Sequence, residues 1–85
     1  MSAATITVTA RFFAAAEEAV GSAERALELP SGATIRDALA TASGTVLHPV
    51  LGRCSFLVNS HATTDYETEL RAGDLLDILP PFAGG

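Results

Sequence analysis

Residues Thr5–Phe13 read TITVTARFF, and this alternation decides how the chain begins. Successive side chains of an extended chain point to opposite faces, so Ile6, Val8, Ala10 and Phe12 share one face, and Thr5, Thr7, Thr9, Arg11 and Phe13 share the other. The pattern predicts a strand with one buried and one solvated face. Phe13 is the odd residue, a large apolar side chain on the polar side. The start of the chain has neither a cationic cluster nor a continuous apolar run, so neither a secretory signal nor a membrane span is expected there.

Further along, AAAEEAVG (Ala14 to Gly21) is rich in helix formers and ends on a glycine suited to a left-handed cap. AERALEL (Ala23 to Leu29) sets Arg25, Leu27 and Leu29 opposite Glu24, Ala26 and Glu28, a second half-solvated strand that Pro30, Ser31 and Gly32 bring to an end. Thr34 followed three residues later by Asp37 is a variant of the capping box, and Ile35, Ala38, Leu39 and Ala42 fall on one helix face. Gly44 stops that helix. TVLHPVLGR contains Pro49, which excludes a central strand, and reads as loop. CSFLVN (Cys54 to Asn59) alternates with Cys54, Phe56 and Val58 on one side, and Asn59-Ser60-His61 forms a turn. Ala62 to Leu70 is polar and is expected to be partly irregular. After a turn at 71–74, DLLDILP forms the last strand, with Leu76 and Ile78 inward and Leu75, Asp77 and Leu79 outward.

The order is strand, short helix, strand, helix, strand, strand. An antiparallel amino-terminal hairpin is followed by a crossing helix and a return of the chain. If the last strand lies beside the first, the crossover makes that pair parallel. The expected fold is therefore α+β: a ubiquitin-like β-grasp with a mixed sheet, one main crossing helix and a flexible C-terminal Gly-Gly tail. Residues 1–79 form the domain and residues 80–85 an extended tail.

The chain has 85 residues and a net charge of −5, and its only cations are five arginines. An acidic surface repels nucleic acid and anionic membranes, so neither is an expected partner, and a basic groove on another protein is the natural complement. A hydrophobic fraction of 48% is high for a small chain and implies a core dense with Ala, Val and Leu, apolar surface left for a partner, or both. The single Cys54, without CxxC spacing, gives no disulfide or metal motif and fits a reducing, cytoplasmic setting. His48 and His61 have no carboxylate or thiol at ligand spacing, so no metal site is expected. No hydrolase elbow is present, and the chain is not expected to be an enzyme on its own.

The last six residues are PPFAGG. Pro80-Pro81 forbids both helix and ladder, so the end of the chain leaves the domain extended and reaches about 20 Å at about 3.3 Å per residue. Two glycines make a tail thin enough for a narrow channel. A frayed end is the alternative reading of the glycines taken by themselves.

ARFFAAAEEAVG near the start, VN in the middle and GDLLDILPPFAGG at the end resemble the small subunit of molybdopterin synthase, in the MoaD/ThiS-type family of ubiquitin-like sulfur carriers. The likeness covers essentially the whole chain, and its most specific part is the Pro-Pro-x-x-Gly-Gly close. The resemblance implies that Gly85, beside Gly84, is adenylated by an E1-like activating enzyme that uses ATP and is then sulfurated to a thiocarboxylate. This group would donate sulfur to cyclic pyranopterin monophosphate within the large subunit of molybdopterin synthase. No permanently bound cofactor is implied. Pro80, Pro81, Phe82 and Ala83 match the part that threads into the partner, and Phe13 and Leu79 fall where the family presents an apolar docking patch. Glu17 and Glu18 stand where family members often carry a basic residue. Two alternatives remain open: a carrier for thiamin thiazole or cysteine synthesis, and a ubiquitin-like interaction module. The acidic residues Asp65, Glu67, Glu69, Asp74 and Asp77 read as a solvated face or as charges that steer the chain toward a basic cleft.

Overall fold

The computed structural model describes residues 4–44 and 53–81. Among these residues five strands and two helices follow one another as β1 (Thr5–Phe12), α1 (Ala15–Val20), β2 (Glu24–Pro30), α2 (Ile35–Ser43), β3 (Ser55–Val58), β4 (His61–Thr63) and β5 (Leu75–Leu79). They form one mixed sheet in the order β2-β1-β5-β3-β4. β1 pairs antiparallel with β2 and parallel with β5, while β5 and β3, and β3 and β4, pair antiparallel. This is the β-grasp expected from the element order, with a fifth strand added.

That fifth strand takes up the start of the polar stretch over residues 62–70, expected from its sequence to be partly irregular. Asn59 and Ser60 both have positive φ, 50° and 74°, which is the backbone a tight two-residue hairpin turn requires. Val58 is thereby set opposite His61, and Phe56 opposite Thr63. β4 is three residues long, lies at the sheet edge and is polar, so no hydrophobic alternation marks it.

The buried face follows the alternation. Val8, Ala10 and Phe12 of β1, Leu27 and Leu29 of β2, Phe56 of β3 and Leu76 and Ile78 of β5 lie in one cluster with Ala16 of α1 and Ile35, Ala38, Leu39 and Ala42 of α2. Arg25 shares the register of Leu27 and Leu29 but stays exposed, and its Nη1 donates to the Ala42 carbonyl at 2.8 Å. That bond satisfies a carbonyl in the last turn of α2 and places a cation where the helix dipole favours one. The outward residues of β5 keep the expected face but are not fully exposed: Leu75 and Leu79 are half-buried and Asp77 is buried, because β5 runs in the middle of the sheet between β1 and β3.

α2 starts at a complete capping box. The Thr34 side chain accepts from the Asp37 N–H at 3.4 Å, and Asp37 Oδ2 accepts from the Thr34 N–H at 2.9 Å. The segment after β4 then supplies acceptors for the remaining first-turn donors: Ile35 N–H donates to the Thr68 carbonyl and Arg36 N–H to that of Tyr66, both at 3.0 Å. Helix termini leave such donors without intrahelical partners, which explains why a polar segment packs there. Gly21 and Gly44 close the two helices with φ of 88° and 77°. Thr34→Ala should lower stability by about 1 kcal/mol, and the midpoint by about 4–8 °C, in a thermal melt followed by circular dichroism.

Candidate functional site

The face of the sheet turned away from the helices is read from the strand registers. Arg11 lies beside Glu24 of β2 on one side and Asp77 of β5 on the other, and Asp77 lies beside Leu57 of β3. Two residues further along, Phe13 comes abreast of Leu79. Its N–H still donates to the Ile78 carbonyl at 3.3 Å, although β1 itself ends at Phe12. Phe13 is 41% exposed and is the one large apolar residue that stands out into solvent among the described residues. Leu79 is half-buried beside it.

The centre of this face is an ion pair. Arg11 Nε donates to Asp77 Oδ1 at 2.6 Å and Nη2 to Oδ2 at 2.9 Å, a bidentate fork. The Asp77 side chain is 9% exposed and that of Arg11 41%. The Arg11 guanidinium carbon also lies 6.0 Å from the centroid of the Phe13 ring, at the outer limit of a cation–π contact. Hydrogen bonding to Asp77 raises the Arg11 pKa above its ordinary value; burial opposes this, and the charges of Asp77 and Glu24 add to it. The pair was not visible in the sequence, because only the pairing of β1 with β5 brings residues 66 positions apart into register.

The face ends where the chain leaves the sheet. Pro80 is buried and Pro81 exposed, so the exit begins beside Leu79 and Phe13. Phe82, Ala83, Gly84 and Gly85 lie outside the described residues, as does His48. Of the expected site residues, the structure thus brings together Phe13, Leu79, Pro80 and Pro81.

The acidic residues of the carboxyl half do not form one face. Asp77 is paired with Arg11. Glu67 pairs with Arg36 at 2.8 Å, while Asp65 Oδ1 accepts from the Glu67 N–H. Asp74 accepts from the Arg71 N–H and from Asn59 Nδ2. Asp65 and Asp74 thus organise turns, while Glu67 and Asp77 pair with arginines. An open depression of about 450 Å³ between the β3–β4 hairpin and the segment before β5 is lined partly by these groups, with Asn59 and Asp74 engaged to each other. Among the described residues no three His, Cys, Asp or Glu side chains gather as metal ligands. No helix there is long and apolar enough to cross a membrane.

A mixed β-grasp sheet with a partly apolar outer face and a carboxyl-terminal exit beside it defines a ubiquitin-like protein of the sulfur-carrier fold. Residues 10–85 match the ThiS family, and the chain belongs to it. No curated protein matches the chain in sequence. Several solved structures are similar, among them these three. The HVO 2177 protein of Haloferax volcanii is 27% identical with a TM-score of 0.77, covering 95% of this chain and 88% of that one. The small archaeal modifier protein SAMP1 of Haloferax volcanii is 25% identical with a TM-score of 0.73, covering 93% and 99%. The complex of subunits 1 and 2 of molybdopterin-converting factor from Helicobacter pylori contains a chain 25% identical with a TM-score of 0.63, covering 94% and 100%.

Cys54 can be placed firmly. It is 4% exposed, and burial pushes its thiol up to about 11 from the ordinary 9.0. A thiol in that state is a poor nucleophile at neutral pH. The folded-state pKa is the higher one, so the unfolded chain loses this proton first. The contribution to stability is complete below 9.0 and declines as pH rises toward about 11. Burial raises Tyr66 in the same direction, so Cys54→Ala should reduce the alkaline loss of stability without abolishing it. Melts across that range will measure it, and iodoacetamide should label Cys54 only after unfolding.

Proposed function

We propose that the chain is a sulfur carrier acting as the small subunit of molybdopterin synthase, with the carboxylate of Gly85 as its working group. The observation that carries the reading is the shared position of the exposed Phe13 and the chain exit at Pro80-Pro81, which lets one docking event both bind a partner and direct the tail into it. Family membership supports a carrier, and the likeness to a chain of the Helicobacter pylori molybdopterin-converting factor complex supports a large-subunit partner.

The chemistry belongs to the tail. A free carboxylate is a poor electrophile. Attack of the Gly85 carboxylate on the α-phosphate of ATP, with loss of pyrophosphate, gives an acyl adenylate whose AMP can leave. This step falls to an E1-like activating enzyme. A sulfide equivalent then displaces AMP and leaves a thiocarboxylate, a soft nucleophile able to attack cyclic pyranopterin monophosphate in the large subunit. The carrier supplies the nucleophile and the docking face, and the partner supplies the catalytic pocket.

A second reading is favoured by the likeness to small archaeal modifier protein 1: the tail could be joined to other proteins rather than sulfurated. The two readings differ in product. After incubation of the full chain with an extract of its source, ATP and cysteine, intact mass should show one oxygen-to-sulfur exchange, absent when Gly85 is deleted. Larger covalent conjugates with no exchange would favour the modifier. Phe13→Asp should weaken binding to the large subunit of the same source about tenfold or more in calorimetry, since burial of one exposed Phe contributes about 1.5–3 kcal/mol. Unchanged affinity would remove Phe13 from the docking face.

A further inference from the structure

The outer face is not simply apolar. At its centre, next to Phe13, sits a bidentate ion pair whose acid is nearly covered and whose base is not. A guanidinium carries five N–H donors, and Asp77 takes one from Nε and one from Nη2. Both donors of Nη1 and the second donor of Nη2 are not used on Asp77, and the side chain that carries them is 41% exposed. A surface that docks on Phe13 and Leu79 must cover those donors too. Covering them without an acceptor would strip water from a charged group and give nothing in return, which is strongly unfavourable.

We propose that Arg11 is a specificity-determining residue of the docking face, selecting a large-subunit surface that places an uncharged acceptor, a main-chain carbonyl or a side-chain amide oxygen, against its outward donors beside the pocket for Phe13. The inference rests on the docking reading above. The acceptor is uncharged because of the local balance. Arg11 already stands between Glu24 and Asp77 on adjacent strands, two acids against one base, and the whole chain carries −5. A third carboxylate, desolvated on docking, would meet net repulsion, whereas a carbonyl accepts the same hydrogen bonds without added charge. Asp77 is then a positioning residue: its two hydrogen bonds fix the guanidinium plane so that the remaining donors face outward rather than sweeping over the surface.

The reading of a purely apolar patch and this one predict opposite signs for the same variant. In Arg11→Met with Asp77→Leu, the pair becomes apolar side chains of similar size, a change that often leaves a fold as stable as before. If the face binds by apolar burial alone, the double variant binds the large subunit of the same source more tightly. If Arg11 meets an acceptor, binding weakens by about tenfold or more, because the acceptor is left unpaired. Calorimetric titration of the full-length wild type, the double variant, Arg11→Lys and Phe13→Ala, with melts to verify folding, tests this. Arg11→Lys keeps the charge beside Asp77 but loses the outward fork, so it should also weaken binding, and it reads the same contact should the double variant not fold.

The weakening should be the same at about 50 mM and about 300 mM salt, since screening acts on charge pairs and little on a carbonyl contact. Equal or tighter binding by a folded double variant, or unchanged binding by Arg11→Lys, would overturn the role of Arg11 while the Phe13 result leaves the docking reading standing. A weakening that shrinks with salt would overturn the uncharged acceptor. Wild-type chain that does not bind the large subunit would bring down the docking reading, and this inference with it.

Discussion

The parallel pairing of β1 with β5 is the constraint on which the rest depends. It joins the two ends of the chain in the middle of the sheet, with Thr9 opposite Leu75 and Phe12 opposite Ile78. A parallel pair needs a long crossover, and everything between Phe13 and Asp74 supplies it. The hydrogen bonds of Gly73 N–H to the Thr7 carbonyl and Phe13 N–H to the Ile78 carbonyl, at 2.8 and 3.3 Å, frame the two ends of the pairing. The last residue of β5 emerges beside the residue that follows β1, so the exit of the tail and the exposed Phe13 cannot be separated without dismantling the centre of the sheet.

A domain this small buries about 60% of the surface of its unfolded chain, so its polar segments must contribute to the fold rather than hang from it. The stretch between β4 and β5 shows how. Tyr66 and Thr68 give their carbonyls to the first turn of α2, Leu70 N–H donates to the Ala33 carbonyl at 2.8 Å, and the Tyr66 ring meets Phe56 edge-on at 5.0 Å. The exposed Arg36–Glu67 pair adds little, since its two ends are well solvated. What holds the segment is backbone capping, the burial of Leu70 in the core and the packing of Tyr66 against Phe56. The edges of the sheet are protected by ordinary means: β2 carries Glu24, Glu28 and Pro30, and β4 is only three residues long.

These features explain what the sequence made legible. Elements that bury an alternating or helical face could be read directly: β1, β2, β3, β5 and α2 have their inward residues where the pattern put them, and Thr34 and Gly44 mark the ends of α2. β4 was not legible, because a polar edge strand of three residues buries almost nothing and owes its existence to the two positive φ angles of the turn before it. Nor was the burial of Asp77. Alternation correctly assigns it to the outer face, but its exposure depends on the neighbours that β5 acquires when it enters the sheet centre. The Arg11–Asp77 pair fails for the same reason, being a property of register between the two ends of the chain. Phe13, by contrast, could be singled out at once, because an aromatic residue on a polar face needs no partner to be conspicuous.

The division between fold and tail bears on how such carriers are told apart. A Gly-Gly end is short, carries no side chains and offers a partner little to discriminate. If one chemistry serves several acceptors, the choice among them must be made on the folded surface. On the docking face proposed for this chain, Phe13 lies beside an ion pair whose arginine is 41% exposed. Apolar area alone would favour any greasy groove of the right size, since hydrophobic burial has no direction. A hydrogen-bonding group at the centre changes this. A matching partner gains a contact, while a mismatched one must leave charged donors dry, and the penalty for the second exceeds the gain from the first. On the proposed reading, discrimination would come mainly from rejection, and a small face could be selective without being large or tightly binding.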